Sequence, residues 1–394
     1  MSVVGRRWFC FAGATLLASF SACKKPSGGA APDGSGSGAK SESAGLIIGH
    51  YASMTGNTAH FGQDTDKAVR MAVDDANASG GVLGKPVKLT TLDDRGDTAE
   101  AASAVTRLID VEHVNALIGE VASSLSLAGG RIAQRRGIPM VSPSSTNPKV
   151  TQVGDYVFRV CFIDPFQGKV MATFARNTLK LDEIAILKDV KNDYSIGLAD
   201  TFKASFTALG GKIALEQSYS AGDTDFSAQV TAIKATKAQA LYVPGYYSEV
   251  GAIARTAARL GVKVPLLGGD GWDAPELFTI GGDALNGSYY SNHFAPDGAS
   301  PKGKAFMAAF KQKYGTDPTG LGMLGYDAAA MLFDAVKRAG KLDGAAVRDA
   351  LAQTKGFEGV AGTITMDKDR NPEKAAAILK IVDGKAKYEA TVGP

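Results

Sequence analysis

Cysteine, histidine and tryptophan are scarce in this chain, numbering three, four and two among 394 residues. Cys10 and Cys23 lie near the amino terminus, which leaves Cys161 alone in the body. A body with one cysteine has no internal disulfide, so its fold must rest on an apolar core. The histidines (His50, His60, His113, His293) are scattered, with no HExxH run and no paired metal-ligand spacing, so no metal is expected. There is no G-x-S-x-G elbow, and "TGNTAHFG" (55–62) lacks the lysine of a phosphate loop. "GGRIAQRRG" (129–137) does not sit between a first strand and first helix, as a dinucleotide loop does. Neither an enzyme nor a cofactor is expected, although a Ser or Asp nucleophile hidden in a crevice stays open as an alternative. Charge of one sign is missing as well. Removing Arg6 and Arg7 with the leader leaves 41 basic residues against 40 acidic, and nothing marks a nucleic-acid partner.

What is present begins with a targeting segment at 1–22. Arg6 and Arg7 precede the apolar run "WFCFAGATLLASF", too short to span a membrane convincingly, and "SAC" (21–23) reads as a lipoprotein processing site with Phe20 where Leu is usual. Processing would make Cys23 the lipidated first residue; the alternative is an uncleaved N-terminal anchor. Both place the body outside the cytoplasm, and the expectation is a periplasmic protein tethered by lipid to a membrane of a Gram-negative-type envelope. Residues 23–45, rich in Gly, Ser, Ala and Pro, read as a tether that cannot bury enough surface to fold.

About 350 residues follow, enough for two packed lobes. "GLIIGHYA", "KPVKLTTLDD", "VNALIGE", "IPMVS", "EIAILKD", "QALYVPG" and "VPLLGGD" read as strands, each followed by a stretch at helical spacing. This alternation predicts an α/β fold of mainly parallel sheets flanked by helices. The pattern restarts after 165, and from 295 the tempo changes to two long helices before a Gly-rich strand signal, "GVAGTITMD", and an apolar strand, "AAAILKIVDG".

Polar clusters stand just past the strand ends: "SMTGNTAHFG" (53–62), "VASSLS" (121–126), "SPSSTN" (142–147), "NDYS" (192–195), "PGYYSE" (244–249) and "GGDGWD" (268–273). The carboxyl end of a parallel strand is where α/β folds bind ligands. Singly, each cluster has a plain structural alternative: Ser124 and Ser195 as N-caps, Thr146 and Asn147 as turn formers before Pro148, Tyr246 or Tyr247 as packing. Jointly they describe a crevice. Hydroxyls and backbone N–H groups suit a carboxylate, a lone acid such as Asp270 suits an ammonium, and Phe61, Tyr194 and Tyr246 suit an apolar tail, which together make an α-amino acid.

The stretches "GHYASMTGNTAHFGQDTDKAVRMAVDDANASGGVLGKPVKLTTLDD", "SPSSTNP", "YVFRVCFID", "YSIGLADTFKASFTALG", "DFSAQV" and "YVPGYYSEVGAIARTAARLG" resemble, in order, the branched-chain amino acid binding proteins, extracellular receptors of the type I periplasmic binding fold, over nearly all of 46–385. The resemblance implies two Rossmann-like lobes joined by three hinge crossings: lobe I from 46–164 and 292–372, lobe II from 165–291 and 373–394. It also implies a monomer that closes on its ligand and delivers it to an inner-membrane ABC importer. Position by position, it puts carboxylate binding on Ser123 and Thr146 with Ser144 beside them, the ammonium-binding acid on Asp270, second-lobe tyrosines on Tyr194 and Tyr246, the tail-contacting aromatic on Phe61, and a hinge-side acid on Asp164.

Two departures bear on the ligand. Familiar members carry Glu where this chain has Asp270, and the subgroup's first-lobe disulfide would need cysteines at Gly96 and Ala122. The expected ligand is leucine, isoleucine or valine; a short-chain amide, urea or other small polar ligand is the alternative, and the shortened acid keeps it open.

Overall fold

The computed structural model describes residues 45–393. The leader, Cys23 and nearly all of the tether fall outside the described residues.

Two sheets organise the chain. The first carries β1 (Ile47–Ala52), β2 (Lys88–Asp93), β3 (Ala116–Ile118), β4 (Met140–Ser142) and β5 (Val157–Arg159) in the order β2-β1-β3-β4-β5, all parallel. Between them run α1 (Ala59–Ala78), α2 (Thr98–Asp110), α3 (Ser123–Arg136) and the short α4 (Lys149–Gln152). After α5 (Asp164–Thr173) the chain builds β6 (Glu183–Asp189), α6 (Asp193–Ala208), β7 (Lys212–Tyr219), α7 (Ser227–Lys234), β8 (Ala240–Tyr242), α8 (Tyr247–Arg259), β9 (Leu266–Gly268), α9 (Pro275–Gly281) and β10 (Tyr289–Asn292).

Helices α10 (Pro301–Tyr314), α11 (Gly320–Ala339) and α12 (Gly344–Ala352) then return to the first sheet, with α11 lying along α1. A hairpin of β11 (Phe357–Glu358) and β12 (Thr363–Ile364) follows. Finally β13 (Ala376–Val382) and β14 (Lys385–Val392) complete the second sheet, β14-β13-β10-β9-β8-β6-β7. Its last two pairings, β10–β13 and β13–β14, are antiparallel and the others parallel.

Each sheet buries both faces, because successive strand side chains point to opposite sides. In β3, Ala116 and Ile118 join the core under α1 and α11 while Leu117 faces α2 and α3. In β6, Ile184 and Ile186 face α5 and α6 while Ala185 and Leu187 face α7 and α8. A continuous apolar run such as "IAIL" is the mark of such a strand.

Several boundaries move from their sequence expectation. Helix α1 begins at Ala59, so His60 and Phe61 stand on its first turn rather than in a loop. Gly62 permits this: a Cβ there would meet the Ser53 carbonyl oxygen at 2.2 Å. Helix α11 begins at Gly320, six residues before "YDAAAM", because the Thr319 side chain caps it by accepting from the Gly322 N–H. The strands β5, β7, β10 and β14 lie outside the runs read as strands, although Gly210–Gly211, Asn286–Gly287 and Asp383–Gly384 mark turns before the last three.

Candidate functional site

The carboxyl ends of both sheets bring the eight expected site residues to neighbouring segments. Phe61 stands on the first turn of α1, Ser123 opens α3, Ser144 and Thr146 lie in the loop after β4, and Asp164 opens α5. Tyr194 is the second residue of α6, Tyr246 is the N-cap of α8, and Asp270 lies in a single 3₁₀ turn after β9. All are buried except Tyr246, which keeps part of its surface open.

The loop 142–148 divides its hydroxyls between two tasks. Ser142 and Ser145 donate inward to the Glu120 carbonyl oxygen, each at 2.8 Å, and Ser126 joins them at 2.9 Å. Ser144 and Thr146 are buried, and neither hydroxyl closes a hydrogen bond. The Ser123 hydroxyl accepts the Asn147 N–H at 3.2 Å, and the Asn147 amide bonds the Asp193 carbonyl at 2.7 Å. Beneath the loop the wholly buried Arg159 guanidinium donates to the carbonyls of Ser145 and Asn147 and, at 3.3 Å, to the Thr151 hydroxyl. Arg159 therefore shapes the loop by gathering its carbonyls, which turns alternate side chains the other way.

Two buried acids face one another across the interior. Neither Asp164 oxygen closes a hydrogen bond; burial pushes its carboxyl up to about 8 despite the nearby Thr146 hydroxyl and Gln167 side chain, which favour the charged form, and the Asp270 charge pushes the same way as burial. On Asp270, Oδ2 meets His293 Nε2 at 2.9 Å, the backbone N–H donates to Gln167 Oε1 at 2.9 Å, and Oδ1 is buried without a partner. The Ser291 hydroxyl also donates to Gln167 Oε1, at 2.8 Å. The Tyr194 hydroxyl accepts the Gly271 N–H at 3.1 Å. Burial drives the phenols of Tyr194, Tyr242 and Tyr246 well above their ordinary value, with Asp164 and Asp270 adding to it, so all three stay neutral donors.

The aromatic side of the site is a stack. The Tyr194 and Tyr246 rings stack nearly parallel with centroids 5.3 Å apart, and Phe61 meets Tyr246 edge-on at 5.5 Å and Tyr247 at 5.0 Å. Glycines make room for it. A Cβ at Gly269 would strike the Tyr194 hydroxyl at 2.6 Å, and one at Gly271 would meet Tyr246 at 2.9 Å. Outside Tyr246 opens a cavity of about 420 Å³ whose walls include Arg95, Gly96, Ala122, Lys191 and Glu249. Gly96 and Ala122, where the resembling subgroup carries its disulfide, thus border this mouth, and Cys161 is a buried free thiol.

Several bonds span the helices of the two sheets, and Ser124 among them lies on the wall of that cavity. Ser124 and Asp193 exchange bonds at 2.9 and 3.1 Å, Lys149 reaches Asp193 at 3.3 Å, and His60 reaches Glu276 at 3.2 Å. Neither Ser124 nor Ser195 is the N-cap it could have been. Ala122 and Asn192 hold those positions, and the Ser195 hydroxyl accepts the Asp189 N–H. Asn147 does close the turn before Lys149, accepting its N–H at 3.0 Å.

Sequence reasoning passed over Arg159, Gln167, Tyr242 and His293. Arg159 left a signal, a charge inside the apolar strand "VFRV". His293 directly follows a strand end, like the residues that were singled out, but β10 itself went unrecognised, and the histidine read as isolated. Gln167 and Tyr242 left none, since only packing turns them to the site.

The family model described as periplasmic binding protein matches residues 46–386. The chain is 32% identical over 344 residues to Leu/Ile/Val-binding protein homolog 3 of Brucella melitensis biotype 1, spanning 86% of this chain and 92% of that protein. It is similar in structure to the leucine-binding protein LivK of Thermotoga maritima, with a TM-score of 0.86 and 41% identity over 89% of this chain and 99% of that one. It is also similar to the branched-chain amino acid transporter substrate-binding protein LivJ of Streptococcus pneumoniae in complex with isoleucine, with a TM-score of 0.84 and 34% identity over 89% and 100%. With the match running through both sheets and every site segment, this chain belongs to the periplasmic binding protein family.

Proposed function

We propose that this protein captures a branched-chain amino acid outside the cytoplasm and hands it to an ABC importer, acting as a binding protein and not as an enzyme. One observation carries the reading. Ser144 Oγ and Asp270 Oδ1 are buried polar atoms without a hydrogen-bond partner, and Thr146 Oγ1 and the Asp164 oxygens, near one another, close no hydrogen bond either. Buried polar groups are ordinarily satisfied, so such a set on adjoining strand ends is the complement of a polar guest. Hydroxyls of Ser144 and Thr146 suit a carboxylate, Asp270 suits an ammonium, and Phe61 with the tyrosines encloses a tail. Each buried methylene of that tail contributes about 0.8 kcal/mol, which favours leucine over glycine. The relatives named for leucine, isoleucine and valine support the same ligand class.

In this reading the helices and strands around each sheet form two lobes, the three passes of the chain between sheets are hinges, and the Ser124–Asp193 bonds close the mouth. The receptor acts as a monomer, with lipid on Cys23 holding it at the membrane.

The test is to purify the protein, denature it, identify what it releases by mass spectrometry, and titrate leucine, valine, glutamate and an aliphatic amide into wild type and Asp270→Asn. Leucine and valine should bind wild type and lose about 2–5 kcal/mol in the variant, because a desolvated ammonium loses its counter-charge. Tight amide binding indifferent to Asp270, with no response to leucine, would establish the amide alternative instead.

A further inference from the structure

We propose that His293 is a positioning residue for the ligand's ammonium group: it holds Oδ2 of Asp270, leaves Oδ1 as the single oxygen free to meet the ligand, and makes capture acid-sensitive by taking up a proton beside that carboxylate. This rests on the reading of the ligand as an amino acid.

The geometry comes first. His293 directly follows β10, and its Nε2 lies 2.9 Å from Asp270 Oδ2, with both side chains almost wholly buried. The Phe162 ring packs against the imidazole at a centroid distance of 3.8 Å, which fixes its plane. Nδ1 is buried with no partner, and so is Asp270 Oδ1. An ionised Asp270 only accepts, so Nε2 carries the proton and Nδ1 is the bare nitrogen. A short acid with one oxygen tied down in this way presents one directed acceptor, where an untethered carboxylate could swing.

The charge follows from the same contacts. In the one-proton state the pair is an anion facing the ligand site. A second proton, on Nδ1, makes it a neutral ion pair, and the ammonium loses most of its attraction. Burial holds His293 below its ordinary 6.5; the Asp270 carboxylate opposes that, and Lys374 reinforces it. The charged groups around the pair are few. Lys374 is itself buried and faces Asp327 and Cys161, and Asp164 faces Asp270 from α5. Burial pushes the Asp164 carboxyl up to about 8, above the range in which His293 takes up its second proton. Binding therefore holds while the pair has one proton and weakens as pH falls through the His293 titration, toward about tenfold per pH unit.

The experiment has two arms. Leucine is titrated calorimetrically into wild type and His293→Gln between about pH 7.5 and 4.5, glutamine being able to donate to Asp270 but not to take a proton. In parallel, the imidazole nitrogens of ligand-free wild type are followed by NMR, with the His293 signal assigned by its loss in the variant or in His293→Asn. Expected are a wild-type Kd that rises as pH falls through the His293 titration, toward about tenfold per pH unit, a flattened profile in His293→Gln, and a His293 that is protonated at Nε2 at neutral pH and titrates below 6.5. Superimposable profiles in the two proteins, or a neutral His293 protonated at Nδ1, overturn the proposal. If leucine gives no heat with wild type at any pH, the ligand reading fails, and the NMR arm alone decides whether His293 holds Asp270 as described.

Discussion

Replacing Asp164 by asparagine tests the electrostatics of the site without changing its shape. The Asp164 carboxyl is fully buried, neither oxygen closes a hydrogen bond, and burial with the facing Asp270 raises it from 3.8 to about 8. A folded-state value above the unfolded one means the native protein binds more protons between those limits. The stability this contributes is complete below pH 4 and is lost as pH rises through 8. The slope is about 1.4 kcal/mol per pH unit, so by pH 7 wild type has given up about 4 kcal/mol relative to acid. Asparagine has the same outline and no charge to desolvate. Asp164→Asn should therefore match wild type near pH 4 and exceed it increasingly toward pH 8. Urea unfolding at a series of pH values measures the difference, read by Trp272, the lone tryptophan beyond residue 8. Parallel curves for the two proteins would mean that Asp164 ionises like an exposed acid, and would refute the inference that burial governs this site.

Arg159→Met should lower stability by about 3–5 kcal/mol and leucine affinity at least tenfold, since the carbonyls of Ser145 and Asn147 lose their buried cationic donor and the loop holding Ser144 and Thr146 relaxes; urea unfolding and calorimetry read the two effects. Asp193→Ala removes the partner of Ser124 and Lys149 at the mouth and should raise the ligand dissociation rate about three- to tenfold in stopped-flow fluorescence, each part-exposed bond contributing about 1 kcal/mol. Gly268→Ala places a Cβ 2.1 Å from the Trp272 ring, so the indole must leave its bond to the Val243 carbonyl; a red-shifted emission and about 1–3 kcal/mol of lost stability are expected. Cys161, with its thiol pushed up to about 12 by burial, should resist alkylation in the folded protein at pH 8 and react only in denaturant, as peptide mass analysis would report.

Local pattern decided much of this protein. Apolar runs followed by helical spacing determine buried parallel strands, because a strand covered on both faces needs continuous apolar sequence, and "EIAILKD" coincides with β6 residue for residue. Hydroxyls, tyrosines and an acid clustered past strand ends marked the segments of the site, since parallel topology sends every strand's carboxyl end to one side. Tertiary structure alone decided which members of each cluster face inward. Ser142 and Ser145 spend their hydroxyls on the Glu120 carbonyl while Ser144 and Thr146 do not, a choice made by Arg159 from another strand. It likewise decided that His293, 23 residues beyond Asp270, completes that acid. Side-chain pairing between adjacent strands depends on sheet order, and sheet order is a property of the assembled core, with no local periodicity to announce it.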